Sequence, residues 1–224
     1  MRQPLAKRVV AEALGTFFLL AAVVGSGIMA ERLANGNTAL ALLANTAATG
    51  AALVALIISF APVSGAHFNP VVTICFALRH DFPGREVPLY LLAQLTGGVG
   101  GVIAANVMFG LPAVFLSNHP RTGLAQLFSE FIATLGLLSV ILAAGRSTIA
   151  VVAVAVGAYI TAAYWFTAST SFANPAVTIA RCLSDTFAGI RLADTPGFIL
   201  AQLAAGIATT LLFGWLMPIQ VNKR

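Results

Sequence analysis

A chain of 224 residues that is 59% hydrophobic and 8% charged carries about a third of the charge of a soluble domain, which places it in a bilayer. Its net charge of +5 sits in short loops and tails, so it reports orientation in a membrane and not a nucleic-acid partner. Cys75 and Cys182 read as small apolar residues rather than a disulfide pair, and the scattered histidines offer no metal site; no cofactor is expected.

Arg2, Lys7 and Arg8 precede a first apolar span at residues 9–30, too long for a signal-peptide core and without a good cleavage site. Glu12 lies near its start. A second span covers 38–60, with Pro62 expected to end it. A polar loop at 79–86 leads to a third span at 87–109, which carries Gln94 and the cluster Gly97, Gly98, Gly100 and Gly101. Small residues of this kind let helices approach closely where lipid offers no hydrophobic drive. After a connector at 110–123 the pattern restarts: a fourth span at 124–144 with Glu130 near its start, a tight loop, a fifth at 149–168, and a sixth at 197–218 before Asn222, Lys223 and Arg224.

Between the second and third spans, and again between the fifth and sixth, lies a short motif. The first reads Ser64-Gly65-Ala66-His67-Phe68-Asn69-Pro70-Val71, the second Ser171-Phe172-Ala173-Asn174-Pro175-Ala176-Val177. Asn before Pro starts a helix, because the Asn side chain caps and Pro lacks only an N–H that would be unpaired anyway. Each Pro opens a run of about nine or ten residues, to Arg79 or near Asp185, roughly 15 Å long and half the thickness of the hydrocarbon.

Glu12 and Glu130 are 118 residues apart, the two motif asparagines 105, and Gln94 and Gln202 108. Similar offsets in chain order mark an internal duplication, with repeats at 1–115 and 116–224 of one transmembrane domain. Three full spans per repeat send the second copy in from the opposite face, so the halves are inverted and their half-helices meet near the midplane. The expected fold is all-α and integral to the membrane: six transmembrane helices plus two re-entrant half-helices. The termini and the loops at 79–86 and 145–148 share one face, which holds Arg2, Lys7, Arg8, Arg79, Arg85, Arg146, Lys223 and Arg224. The other holds Arg32, Arg121, Arg181 and Arg191. The positive-inside rule puts both termini in the cytoplasm.

Irregular backbone at membrane depth is tolerated only in protein or beside water, so residues 61–69 and 168–174 are expected to line a pore with carbonyl acceptors. Asn69 and Asn174 supply donors at its waist, and two half-helix N-termini oppose cations. Glu12 and Glu130 are expected to accept hydrogen bonds from the irregular loop of their own repeat, and His67 to line or gate one mouth. Cys182, two turns along the second half-helix, is expected to face the outer vestibule. With no nucleophile–base pair, no enzyme chemistry is expected.

At these residues the chain resembles the aquaporin/aquaglyceroporin (major intrinsic protein) family over essentially its whole length. The resemblance implies a pore in each protomer of a homotetramer, with Asn69-Pro70-Val71 and Asn174-Pro175-Ala176 as the paired central motifs; Val71 departs from the family's Ala. Family members narrow at four positions on the outer side, usually including an arginine three residues after the second Asn, where this chain has Val177. Counting without gaps, the other three fall on Thr49, Ala162 and Ser171, an expected wide constriction of little charge, with Arg181 a separate residue one turn beyond. The run from Asn174 to Ile190 is similar to bacterial aquaglyceroporin-like channels found with arsenic-resistance genes. That implies a bacterial inner-membrane channel for arsenious acid and related metalloid acids, with glycerol or urea as further cargo. A water-selective channel and a proton-coupled secondary transporter are the alternatives.

Overall fold

The computed structural model describes residues 2–217, all helix and connecting segments. Six helices are long and apolar enough to cross a membrane: α1 (Leu5–Leu33), α2 (Thr38–Ser64), α4 (Val87–Met108), α5 (Leu124–Ala144), α6 (Ile149–Phe166) and α8 (Thr195–Leu216). Two short helices lie between them, α3 (Pro70–Leu78) and α7 (Pro175–Ala180), the latter continued by a 3-10 turn at Arg181–Leu183. The expected end of the last span at Pro218, and the basic residues Lys223 and Arg224, lie outside the described residues.

Several helix ends shift from expectation by a few residues, and two of the differences bear on the half-helices. Pro62 does not end α2, which runs on to Ser64. So close to the C-terminus the missing N–H costs a single bond, and Gly65 closes the helix in a left-handed conformation (φ 94°) with its N–H on the Ala61 carbonyl, 3.1 Å. The second half-helix has six residues against nine in the first.

The duplication is visible in the packing. α1 lies on α2 and α4 as α5 lies on α6 and α8, and α2 meets α6 across the two copies. Each half-helix also packs on the last long helix of the other copy, α3 on α8 and α7 on α4. The α1–α4 approach requires glycine: a Cβ at Gly97 or Gly101 would overlap the Ala13 or Phe17 carbonyl of α1.

Candidate functional site

The two irregular loops share one backbone plan. In the first, Gly65, Ala66 and Phe68 have φ of 94°, 51° and 49°; in the second, Thr170, Ser171 and Ala173 have 60°, 50° and 48°. These are the residues four, three and one before each asparagine. Non-glycine residues there cost about 1–3 kcal/mol each, so something must hold them.

The holding group is a buried carboxylate. Glu12 accepts from the N–H of His67 (3.0 Å) and Phe68 (2.7 Å), from Ser64 Oγ (2.7 Å) and from Gln94 Nε2 (2.8 Å). Glu130 accepts from the N–H of Phe172 (2.9 Å) and Ala173 (2.8 Å) and from Gln202 Nε2 (2.7 Å). Each glutamine also donates to a half-helix threonine, Gln94 to Thr73 and Gln202 to Thr178.

At the waist the copies exchange bonds. Asn69 Nδ2 donates to the Ala173 carbonyl and Asn174 Nδ2 to the Phe68 carbonyl, both at 2.8 Å. Their Oδ1 atoms cap the half-helices, Asn69 accepting from Val71 N–H and Asn174 from Ala176 and Val177 N–H. With Pro70 and Pro175 opening the two helices, the caps place both positive helix ends side by side.

A cavity of about 350 Å³ passes this point, from Gly145 and Ser147 at one end to Arg181 at the other. Part of the lining is apolar, with Leu53, Ile57, Val156 and Ile160. The lining also carries the polar residues His67, Asn69, Asn174, Ser171, Tyr164 and Arg181. Such a mixed lining fits a solute with hydroxyl groups on an otherwise uncharged body.

Of the four expected filter residues, Thr49, Ser171 and Val177 line this cavity. Ala162 does not: it is exposed on the outside of α6, while Ile160 and Tyr164 face in. Two residues rotate a helix by about 200°, so a gapless count that misses by two lands on the opposite face. Tyr164 lines the cavity there, its hydroxyl 3.4 Å from Thr49 Oγ1.

The expectation of little charge is also corrected. Arg181, 2% exposed, lines the cavity beside Val177 because four residues is about one helical turn and a long side chain reaches back along its face. Its Nε donates to the Ala188 carbonyl, its guanidinium lies on the Phe172 ring, and Nη1 has no protein partner. Ser171 Oγ, also in the cavity wall, has none either. An arginine alone in an otherwise apolar half-helix was the sequence signal for this role.

Cys182 is 1% exposed and bonded to the Thr178 carbonyl, part of the core and not of the vestibule. One position beyond Arg181, it points about 100° away from it around the helix. His67 stacks on Phe76 (5.1 Å between ring centres) with Nδ1 3.0 Å from Thr73 Oγ1. Glu12 and Glu130 are fully buried behind the loops and do not line the cavity.

The family model for the major intrinsic protein matches residues 1–148. Aquaglyceroporin AqpS of Rhizobium meliloti is 52% identical over 213 residues, 95% of this chain and 91% of that protein. The probable aquaporin NIP7-1 of Arabidopsis thaliana is 36% identical over 127 residues, 56% of this chain and 45% of that protein. The X-ray structure of the aquaglyceroporin from Plasmodium falciparum superposes with a TM-score of 0.73 at 22% identity, covering 98% of each chain. Two Asn-capped half-helices meeting across a duplicated bundle, and a family match over two thirds of the sequence, lead to one conclusion: the chain belongs to the major intrinsic protein family, whose members are channels and not enzymes.

Proposed function

We propose that this channel conducts small neutral hydroxylated solutes passively, arsenious acid and related metalloid acids foremost, with glycerol and urea as further cargo. One observation carries the reading: Val177, an apolar side chain with no donor, lines the cavity together with the hydroxyl-bearing Thr49, Tyr164 and Ser171. A trihydroxy acid, uncharged near neutral pH, finds both hydroxyl partners and hydrocarbon along such a lining. The likeness to a bacterial aquaglyceroporin over almost the whole chain supports this class of cargo.

A proton-coupled transporter needs a carboxylate on the path. Glu12 and Glu130 are instead saturated by loop donors and lie off the cavity, which favours a passive channel. The alternative of a water-selective pore is judged by the ratio of solute to water permeability in the assay below. Further parts of the proposal are a homotetramer in a bacterial inner membrane with both termini cytoplasmic. The excess of basic residues on the face of the termini supports that orientation.

The test is Val177→Arg in matched proteoliposomes, followed by stopped-flow light scattering. A second guanidinium in the filter adds bulk and fixed charge, a device known as an electrostatic barrier in aquaporin-type pores. Arsenite and glycerol permeability fall about ten-fold or more, by analogy with other steric and charged barriers, while water permeability falls less. Unchanged arsenite permeability in a folded variant overturns the filter assignment.

A further inference from the structure

We propose that the mouth on the face of the 110–123 connector holds a binding site for a small soluble oxyanion of the phosphate class, built by Arg181 and Arg121. The two guanidiniums are held side by side on consecutive carbonyls: Arg181 Nε donates to Ala188 and Arg121 Nε to Gly189. Both also lie against one aromatic ring, Phe172, with the Arg121 Cζ 4.9 Å from its centre and the Arg181 Cζ 3.5 Å. Arg121 Nη1 reaches the Ser169 carbonyl (3.1 Å) and Thr170 Oγ1 (3.4 Å).

Neither cation has a carboxylate within 4.0 Å among the described residues. The nearby acids are engaged elsewhere. Asp185 accepts from Ser117 and Asn118; Asp194 accepts from Arg191 and from the backbone N–H of Arg121. Both arginines are more than nine-tenths buried. Two adjacent buried like charges without a counter-ion are costly, and the cost is relieved by an anion.

Space for one exists. A second cavity of about 350 Å³ is lined by Arg121, Arg181, Thr170, Asn45, His119 and Trp165, among others. Arg181 lines this cavity and the pore alike, and its Nη1 has no hydrogen-bond partner in the protein. An oxyanion offers several acceptor oxygens to two forked donors, the geometry that guanidinium pairs recognise best. Seated there it stands in the way of neutral solutes. The site rests on the cavities and not on the cargo, so it stands or falls separately from the proposed function.

Trp165 in the cavity wall is a built-in reporter. The other tryptophan, Trp215, is 78% exposed on α8, so a Trp215→Phe background isolates the signal. The full chain in phospholipid-free detergent is titrated with potassium phosphate against potassium chloride of equal ionic strength. A saturable fluorescence change with phosphate alone is expected. Arg181→Leu raises the half-saturation concentration about ten-fold or more, and Arg181→Lys, which keeps the charge but loses the fork, raises it less. The lysine variant keeps the test decisive where the leucine variant does not fold. No saturable change in the folded protein, or the same curve in the folded Arg181 variants, overturns the site.

Two further arms complete the test. In proteoliposomes with phosphate on both sides, glycerol flux falls with the same half-saturation; flux indifferent to saturating phosphate overturns the obstruction. Phosphatidylcholine vesicles are compared with vesicles containing phosphatidylglycerol to identify the source of the phosphate. A half-saturation that is the same in both supports a soluble ion. Competition by the anionic lipid would assign the site to a headgroup and overturn the proposal.

Discussion

The two irregular loops have the same backbone and opposite surroundings. In both, the residue two before the asparagine donates its N–H to a buried glutamate: His67 in the first, Phe172 in the second. His67 stacks in an aromatic nest of Phe76, Phe82 and Tyr90. Phe172 instead lies under two guanidiniums. The duplicated plan therefore fixes where the carbonyls point, while the residue filling that one place decides whether a mouth is aromatic or cationic. Scaffold and selectivity are separable here, and the separation is open to attack at several points.

The largest effect falls on the scaffold. Glu130→Ala leaves two buried N–H groups without acceptors, and Glu12→Ala leaves two as well, each group costing about 1–3 kcal/mol. Both variants lose about 2–6 kcal/mol on that count. Glu12→Ala is the worse of the two because Ser64 and Gln94 each lose an acceptor, against Gln202 alone in the second copy. Thermal unfolding in detergent reads the order; equal midpoints would mean that the extra donors of the first copy contribute nothing.

Next comes the waist. Asn69→Asp or Asn174→Asp sets a carboxylate oxygen against the Ala173 or Phe68 carbonyl, where a donor now sits at 2.8 Å. Neutral-solute flux falls and a cation current appears, since the negative charge offsets the two helix N-termini. Liposome flux and planar-bilayer recording measure the two effects. If the copies are equivalent at the waist the two variants match; a current in one alone breaks the symmetry.

A smaller effect separates neighbours within one glycine cluster. Gly101→Ala pushes a Cβ into the Phe17 carbonyl, whereas at Gly98 the nearest atom, Ala180 Cβ, is at 3.5 Å, an ordinary contact. Overpacking of about 1–3 kcal/mol lowers the melting midpoint of Gly101→Ala by about 2–12 °C and leaves Gly98→Ala close to wild type.

Six spans and two half-helices were legible in the sequence because each boundary is written in local chemistry: uncharged runs, Asn-Pro caps and the polar loops between them. The reciprocal Asn–carbonyl bonds and the carboxylate anchors follow from which groups have no water at that depth. Side-chain facing was not legible in the same way. Ala162 failed because helical phase is sensitive to a slip of two residues, and the cavity role of Arg181 was hidden because reach along a turn depends on where Phe172 and Ala188 lie. Arg121 sits in a connector with no periodicity, so nothing local pairs it with a residue sixty positions further on.

The smallest expected effect concerns the connector itself. Asp185 is held below the usual carboxylate value near 3.8 by the backbone and side-chain N–H groups of Asn118. A lowered folded-state value means its contribution is complete above the ordinary value and is lost as pH falls through the lower one. Hydrogen exchange at Asn118, corrected for intrinsic rate, is therefore flat between about pH 5 and 8 and rises only in stronger acid. In Asp185→Asn the acid-dependent rise disappears.

The order of the two glutamates in the chain has a consequence for synthesis. Glu12 emerges from the ribosome 52 residues before its first loop partner, Ser64, and Glu130 precedes Phe172 by 42. At about 5–20 residues per second each carboxylate waits on the order of 2–10 s for the donors that will satisfy it. During that interval α1 or α5 carries an unmet polar group that lipid does not accommodate. Until the re-entrant loop arrives, neither helix has the partners that offset the cost of its carboxylate in lipid.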